Sequence, residues 1–234
     1  MNLTRISFTL PNENVRYTDM IGLLESTPVS ELAINAVPRT LSICSEHYDW
    51  FEKFISFIQC MDVRFNIALK VGVPWCEMMC CDNTPVDITR LMNYRRHNDK
   101  YPVINRVILD VNSACGVFDT SKIQKMIASN PGVEFVFPYN LRNYDKISAL
   151  RQSNVPHSLL YRTEDINKLN YLCCCNSVGY SGDFTPSQIS KRLSEISKHA
   201  SPYGSVWFDI GVIDSVSDIK SNIQNIYNCT INHR

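Results

Sequence analysis

The chain has 234 residues, 44% hydrophobic and 20% charged, and holds no stretch of about 18 apolar residues, so it can bury a core and lacks a membrane-spanning helix. Its 23 Lys and Arg balance 23 Asp and Glu, and no basic run exceeds Arg95-Arg96, so the concentrated positive face that a long nucleic acid demands is missing. Neither nucleic acid nor membrane is therefore an expected partner, and the opening Met1-Asn2-Leu3-Thr4-Arg5 shows no secretory signal. Ten cysteines without an export signal read as free thiols in a reducing, cytoplasmic setting.

Along the chain, short β-branched or aromatic runs alternate with longer stretches of helical period, the pattern of parallel βα units. The spacing predicts a strand over residues 5–10 and a helix over 17–25, then a strand over 31–36 and a helix over 47–60 with Trp50, Phe51, Phe54, Ile55 and Ile58 on one side. A third strand over 63–70 leads through a cysteine-bearing loop to a helix over 86–94. The fourth strand (106–111) precedes a helix over 120–129, and the fifth (133–137) a helix over 144–152. The sixth strand (158–161) is followed by an irregular unit, with a short helix over 165–173 and a brief seventh strand over 177–180. Thr185-Pro186-Ser187 opens a helix running to Lys198, an eighth strand spans 205–210, and a last helix spans 217–227. Eight units of about 29 residues each, with no linker between them, predict a single-domain α/β (β/α)8 TIM barrel over residues 1–234.

Such a barrel fills its interior with side chains and places ligands where strands end and βα loops begin. That rule selects Asn12 and Glu13, Arg39, Lys70, Asp110 and Asn112, Tyr139 and Asn140, Arg162 with Glu164, Ser181 with Gly182, and Asp209 with Gly211. Phosphate prefers the loops after strands seven and eight, where backbone N–H groups face the anion. Gly179-Tyr180-Ser181-Gly182 and Gly211 fit that place, and Ser181 can donate a hydroxyl. The bland alternatives are that the glycines serve tight turns, that Lys70 and Arg162 form surface ion pairs, and that Asp209 braces the rim. Cys76, Cys80, Cys81 and the run Cys173-Cys174-Cys175 lack paired metal-ligand spacing, so no metal is expected, and no cofactor is implied. None of the five histidines sits at a strand end beside a nucleophile or carboxylate.

Gly179-Tyr180-Ser181-Gly182-Asp183-Phe184-Thr185-Pro186 resembles the Gly-Tyr-Ala-Gly-Gly-Leu-x-Pro stretch of phosphoribosylanthranilate isomerase-like, ribulose-phosphate-binding barrels. Trp207-Phe208-Asp209-Ile210-Gly211-Val212 with Asp218-Ile219-Lys220 resembles their last strand and helix opening; Val136-Phe137-Pro138-Tyr139-Asn140, Leu159-Leu160-Tyr161 and Val37-Pro38-Arg39 resemble their fifth and sixth strands and second loop. The resemblance implies a ribose-phosphate-binding barrel with phosphate near Ser181-Gly182 and Gly211. It does not carry the isomerase reaction with it, since that reaction needs a cysteine ending the first strand as general base and an aspartate ending the sixth as general acid. Here the first strand ends Phe8-Thr9-Leu10-Pro11, and Arg162 follows Tyr161. Arginine, with a pKa above about 12, does not act as that acid.

Two functions follow. The first is a metabolite-binding or sequestering protein that holds a phosphorylated ribose- or nucleotide-derived small molecule, with Arg39 and Arg162 on an anionic or planar group and Tyr139 or Tyr180 stacked on a base. The alternative is a sugar-phosphate isomerase with relocated acid/base residues, using Asp110, Glu164 or Asp209 while Lys70 and Arg162 offset charge. A homo-oligomer is compatible with either.

Overall fold

The computed structural model describes residues 2–9, 16–38, 46–61, 65–81, 83–95, 102–109, 118–139, 144–151, 157–162, 177–182, 184–185, 187–199, 205–212 and 215–232. The strands are β1 (Asn2–Thr9), β2 (Ser30–Ala36), β3 (Asn66–Val71), β4 (Arg106–Leu109), β5 (Glu134–Tyr139), β6 (Ser158–Arg162), β7 (Val178–Ser181) and β8 (Ser205–Val212). They close in sequence order, β1 to β8, into a parallel barrel. The helices among the described residues are α1 (Tyr17–Leu24), α2 (Glu46–Gln59), α3 (Trp75–Cys80), α4 (Val86–Met92), α5 (Thr120–Ser129), α6 (Tyr144–Arg151), α7 (Ile189–His199) and α8 (Val216–Asn232). No helix among them is long and apolar enough to cross a membrane.

The eight-stranded alternation matches the expected fold, with local differences beyond small shifts of strand ends. Residues 75–80, expected as loop, form α3, whose Trp75, Cys76, Met79 and Cys80 are buried. β5 continues through Pro138 to Tyr139. The helix expected from Thr185 becomes regular at Ile189, with the Gln188 and Ile189 amides bonded to the Thr185 carbonyl in the preceding turn. The last helix starts at Val216 and runs to Asn232, further than the expected 217–227. The helix expected over 165–173 lies outside the described residues.

The chain divides into two compact units, residues 1–33 with 158–234, and residues 34–157. In the second unit, α2 buries Phe51, Phe54, Ile55 and Ile58, the helical stripe read from sequence, and Trp50 stacks on Phe54 with ring centres 5.6 Å apart. α5 begins at Asp119, whose carboxylate accepts from the Ser121 and Lys122 amides, which satisfies two helix N–H groups that have no partner within the helix. The Ser121 hydroxyl, which donates to the same carboxylate at 2.7 Å, and after it these amide bonds hold the Asp119 carboxyl below its usual range. Arg106, 1% exposed at the start of β4, pairs with Glu134 of β5 at 3.1 Å.

In the first unit, β6, β7, β8, β1 and β2 run side by side, and α8 buries Ile219, Ile223 and Ile226. The packing that fixes β7 against β8 is Gly179 opposite Trp207. A Cβ on Gly179 would overlap Cε2, Cζ2 and Cδ2 of the indole. Trp207 is wholly buried, so the ring has nowhere to retreat. We expect Gly179→Ala to destabilise the fold by roughly 1 to 3 kcal/mol, the usual cost of overpacking, read as a lower midpoint in urea denaturation. An unchanged midpoint would show that the indole moves aside.

Candidate functional site

Two registers of side chains cross the first unit. One runs Tyr161, Tyr180, Phe208, Ile6, Ser30 as consecutive strand partners. Its aromatic rings pack on one another: Tyr161 on Tyr180 at 5.9 Å, Tyr180 on Phe208 at 6.4 Å, and Phe184, from the segment entering α7, edge-on to Phe208 at 5.2 Å. Phe184 belongs to a βα connection and such connections lie outside the strands, so this register faces the helices. Alternation then turns the neighbouring register inward.

That inward register reads Arg162, Ser181, Asp209, Ser7, Glu31 on five adjacent strands. Barrel strands tilt and stagger by about one residue per strand, so a line of partners descends from the carboxyl rim toward the opposite end. Burial follows the descent. Arg162 is exposed and Ser181 half-buried, whereas Asp209 is 6% exposed and Ser7 and Glu31 are 0% exposed. Arg162 has no ion pair among the described residues. The Ser181 hydroxyl donates to the Tyr161 carbonyl at 3.3 Å, which fixes its rotamer toward β6. Glu31 is held by Arg5, the inward residue below Ser7, at 3.4 Å.

Beside Asp209 the ladder is interrupted. Ser7 pairs with Asp209 but Thr9 pairs with Val212, so β8 carries one residue more than β1 over that step, a β-bulge. Gly211 absorbs the extra residue in the left-handed region, φ 72°, and donates its amide to Asp209 Oδ1 at 3.1 Å. A Cβ placed on Gly211 would meet no described atom within 4 Å, so the glycine is required by its backbone and not by crowding. Bulges of this kind re-aim side chains next to binding sites.

The Ser7 hydroxyl is wholly buried and has no hydrogen-bond partner among the described residues. A buried hydroxyl left unbonded costs about 1 to 3 kcal/mol, which makes it the most conspicuous group in the register. Sequence reading at strand ends missed Ser7, Arg5 and Glu31. The available signal was the β1 alternation Arg5, Ser7, Thr9 against Ile6, Phe8.

Among the expected site residues, the structure brings Arg162, Ser181 and Asp209 into one register, with Gly182 directly after β7 and Gly211 in the bulge. Tyr180, expected as a stacking group, is 0% exposed, its ring packed between Tyr161 and Phe208. Tyr139, the last residue of β5, is 1% exposed. Lys70 is half-buried near the end of β3 in the second unit and already engages another group of the protein. The Gly211 amide is bound to Asp209 rather than offered to an anion, and Gly179 makes room for Trp207 rather than for phosphate. Arg39, Asp110, Asn140 and Glu164 lie outside the described residues. No group of three or more His, Cys, Asp or Glu among the described residues is arranged to hold a metal ion.

Closed parallel strands with intervening helices and a polar register at the carboxyl ends define this chain as a (β/α)8 barrel. Solved structures share that fold. A chain of the tryptophan synthase α2β2 complex from the hyperthermophile Pyrococcus furiosus superposes with TM-score 0.55 and 11% identity, covering 96% of this chain and 97% of that one. KGPDC from Streptococcus mutans superposes with TM-score 0.51 and 11% identity, covering 97% and 98%. Likeness at that identity establishes the fold alone. No protein-family model and no curated protein sequence matches the chain.

Because Gly211 occupies a left-handed conformation, Gly211→Ala is expected to cost roughly 1 to 2 kcal/mol, measured by thermal or denaturant unfolding. A neutral substitution would mean that β8 leaves Asp209 without this bulge.

Proposed function

We propose that the protein binds a phosphorylated, ribose- or nucleotide-derived small molecule at the carboxyl ends of β6 to β8 without turning it over. The observation that carries this reading is the register Arg162, Ser181, Asp209, with a cation at the rim and a carboxylate one level deeper. A phosphate 4 Å from Asp209 would be repelled by about 4 kcal/mol at the effective dielectric of a protein surface. The anion therefore belongs with Arg162 and the backbone at Ser181-Gly182, where a guanidinium provides paired donors. The neutral, hydroxylated part of the ligand then points inward along the register toward Asp209.

The same residues favour binding over isomerisation. Arg162 ends β6, and a guanidinium does not deliver a proton at neutral pH. The neighbouring barrels in tryptophan synthase and KGPDC support a barrel that suits small-molecule ligands at the level of fold.

The test is calorimetry and thermal shift with ribose 5-phosphate. Ligand at about 100 times its dissociation constant should stabilise the protein by ~2.7 kcal/mol, and Arg162→Ala should weaken binding by about tenfold or more, since a charge-assisted bond contributes about 1.5 to 3 kcal/mol. Phosphoribosylanthranilate should pass through unconverted. Absence of any response to phosphorylated sugars, or turnover abolished by Asp209→Asn, overturns the reading.

A further inference from the structure

Resting on the binding reading above, we infer that Ser7 is a contact residue for the hydroxylated part of the ligand, so that the site selects a polyhydroxylated phosphate over a bare one. Within the described part of the register each other polar group has a partner in the protein or stands at the rim: Ser181 donates to Tyr161, Asp209 accepts from Gly211, and Glu31 pairs with Arg5. Ser7 stands between the two carboxylates, in register with both Asp209 and Glu31, wholly buried and without a partner. Strand alternation puts its hydroxyl on the same inward face as theirs, because Ile6 and Phe8 on either side take the other face.

A lone buried hydroxyl is a poor structural element, since alanine fills nearly the same space without an unmet hydrogen bond. As a ligand contact it makes sense. It both donates and accepts, and it lies three strands from Arg162, roughly 14 Å along the sheet at about 4.8 Å per strand. A pentose phosphate anchored at Arg162 would be long enough to cover the part of that distance that the arginine side chain does not. The β8 bulge lies at the step of the ladder just beyond Ser7. A carboxylate accepts and does not donate, so Asp209 complements the serine by accepting a hydrogen bond from a second hydroxyl.

The experiment compares wild type, Ser7→Ala and Arg162→Ala for ribose 5-phosphate and for inorganic phosphate by calorimetry, with melting curves recorded without ligand. Ser7→Ala should bind ribose 5-phosphate about fivefold to tenfold more weakly, the worth of one hydrogen bond. It should hold inorganic phosphate as wild type does and melt at the same or a higher temperature. Arg162→Ala should lose affinity for both. Unchanged ribose 5-phosphate affinity in Ser7→Ala, with wild type binding both compounds, overturns the role of Ser7 and leaves the phosphate site standing. A markedly lower melting temperature for Ser7→Ala also overturns it, because the hydroxyl would then be bonded within the protein. Wild type binding neither compound removes the phosphate reading and this inference together.

Discussion

The alternation of side chains along a β-strand governs nearly every polar group in the first unit. Ile6 and Phe8 are both fully buried on the face turned to the helices, and once they are placed, Arg5, Ser7 and Thr9 have no choice but to point into the barrel. Parallel pairing then carries the same assignment across β8, β7 and β6, where the outward aromatics Phe208, Tyr180 and Tyr161 alternate with inward Asp209, Ser181 and Arg162. The tight fit of Trp207 over Gly179 secures the β7 and β8 alignment on which this transfer depends. A slip of one residue between those strands would send Asp209 among the aromatics and Phe208 into the interior.

That constraint explains which parts of the molecule were legible in the sequence. The units themselves were plain, because stripes such as Phe51, Phe54, Ile55 and Ile58 on α2 persist long enough to define a period. The six-residue α3 was not, since its length covers less than two turns and its cysteines resemble a loop composition. Choosing residues at strand ends picked out Arg162, Ser181 and Asp209, which strand pairing puts in one register, but position along a strand says nothing of face. Tyr139 and Tyr180 were placed at the rim for the same reason, and packing encloses both. Ser7 and Glu31 were passed over because polar residues alternating with apolar ones ordinarily mark a solvent-facing side. Here both faces are covered, and the pattern marks a polar interior instead.

The glycines show the same division between local chemistry and global placement. A Gly-x-x-Gly at a strand end reads as an anion cradle from sequence, yet Gly179 is required by an indole from the next strand, a contact between residues 28 positions apart in numbering that no local pattern encodes. Gly211 is required by its own backbone, and its effect is indirect. It ties its amide to Asp209 and shifts the β1 and β8 ladder beside Ser7. The bulge at Gly211 thus acts through the carboxylate it orients.

The distribution of charge along the inward register bears on whether the site holds or transforms its ligand. Proton transfer at carbon needs a base and an acid whose environments drive their proton affinities apart. In the described register the carboxylate of Asp209 is bonded to a backbone amide, and that of Glu31 is paired with Arg5 in the interior. Such a buried pair adds little net stability, because desolvating two charges offsets most of their attraction. What it does supply is a fixed geometry beneath Ser7. Groups pinned in this way are suited to present a rigid pattern of donors and acceptors to a ligand, at low entropic cost on binding.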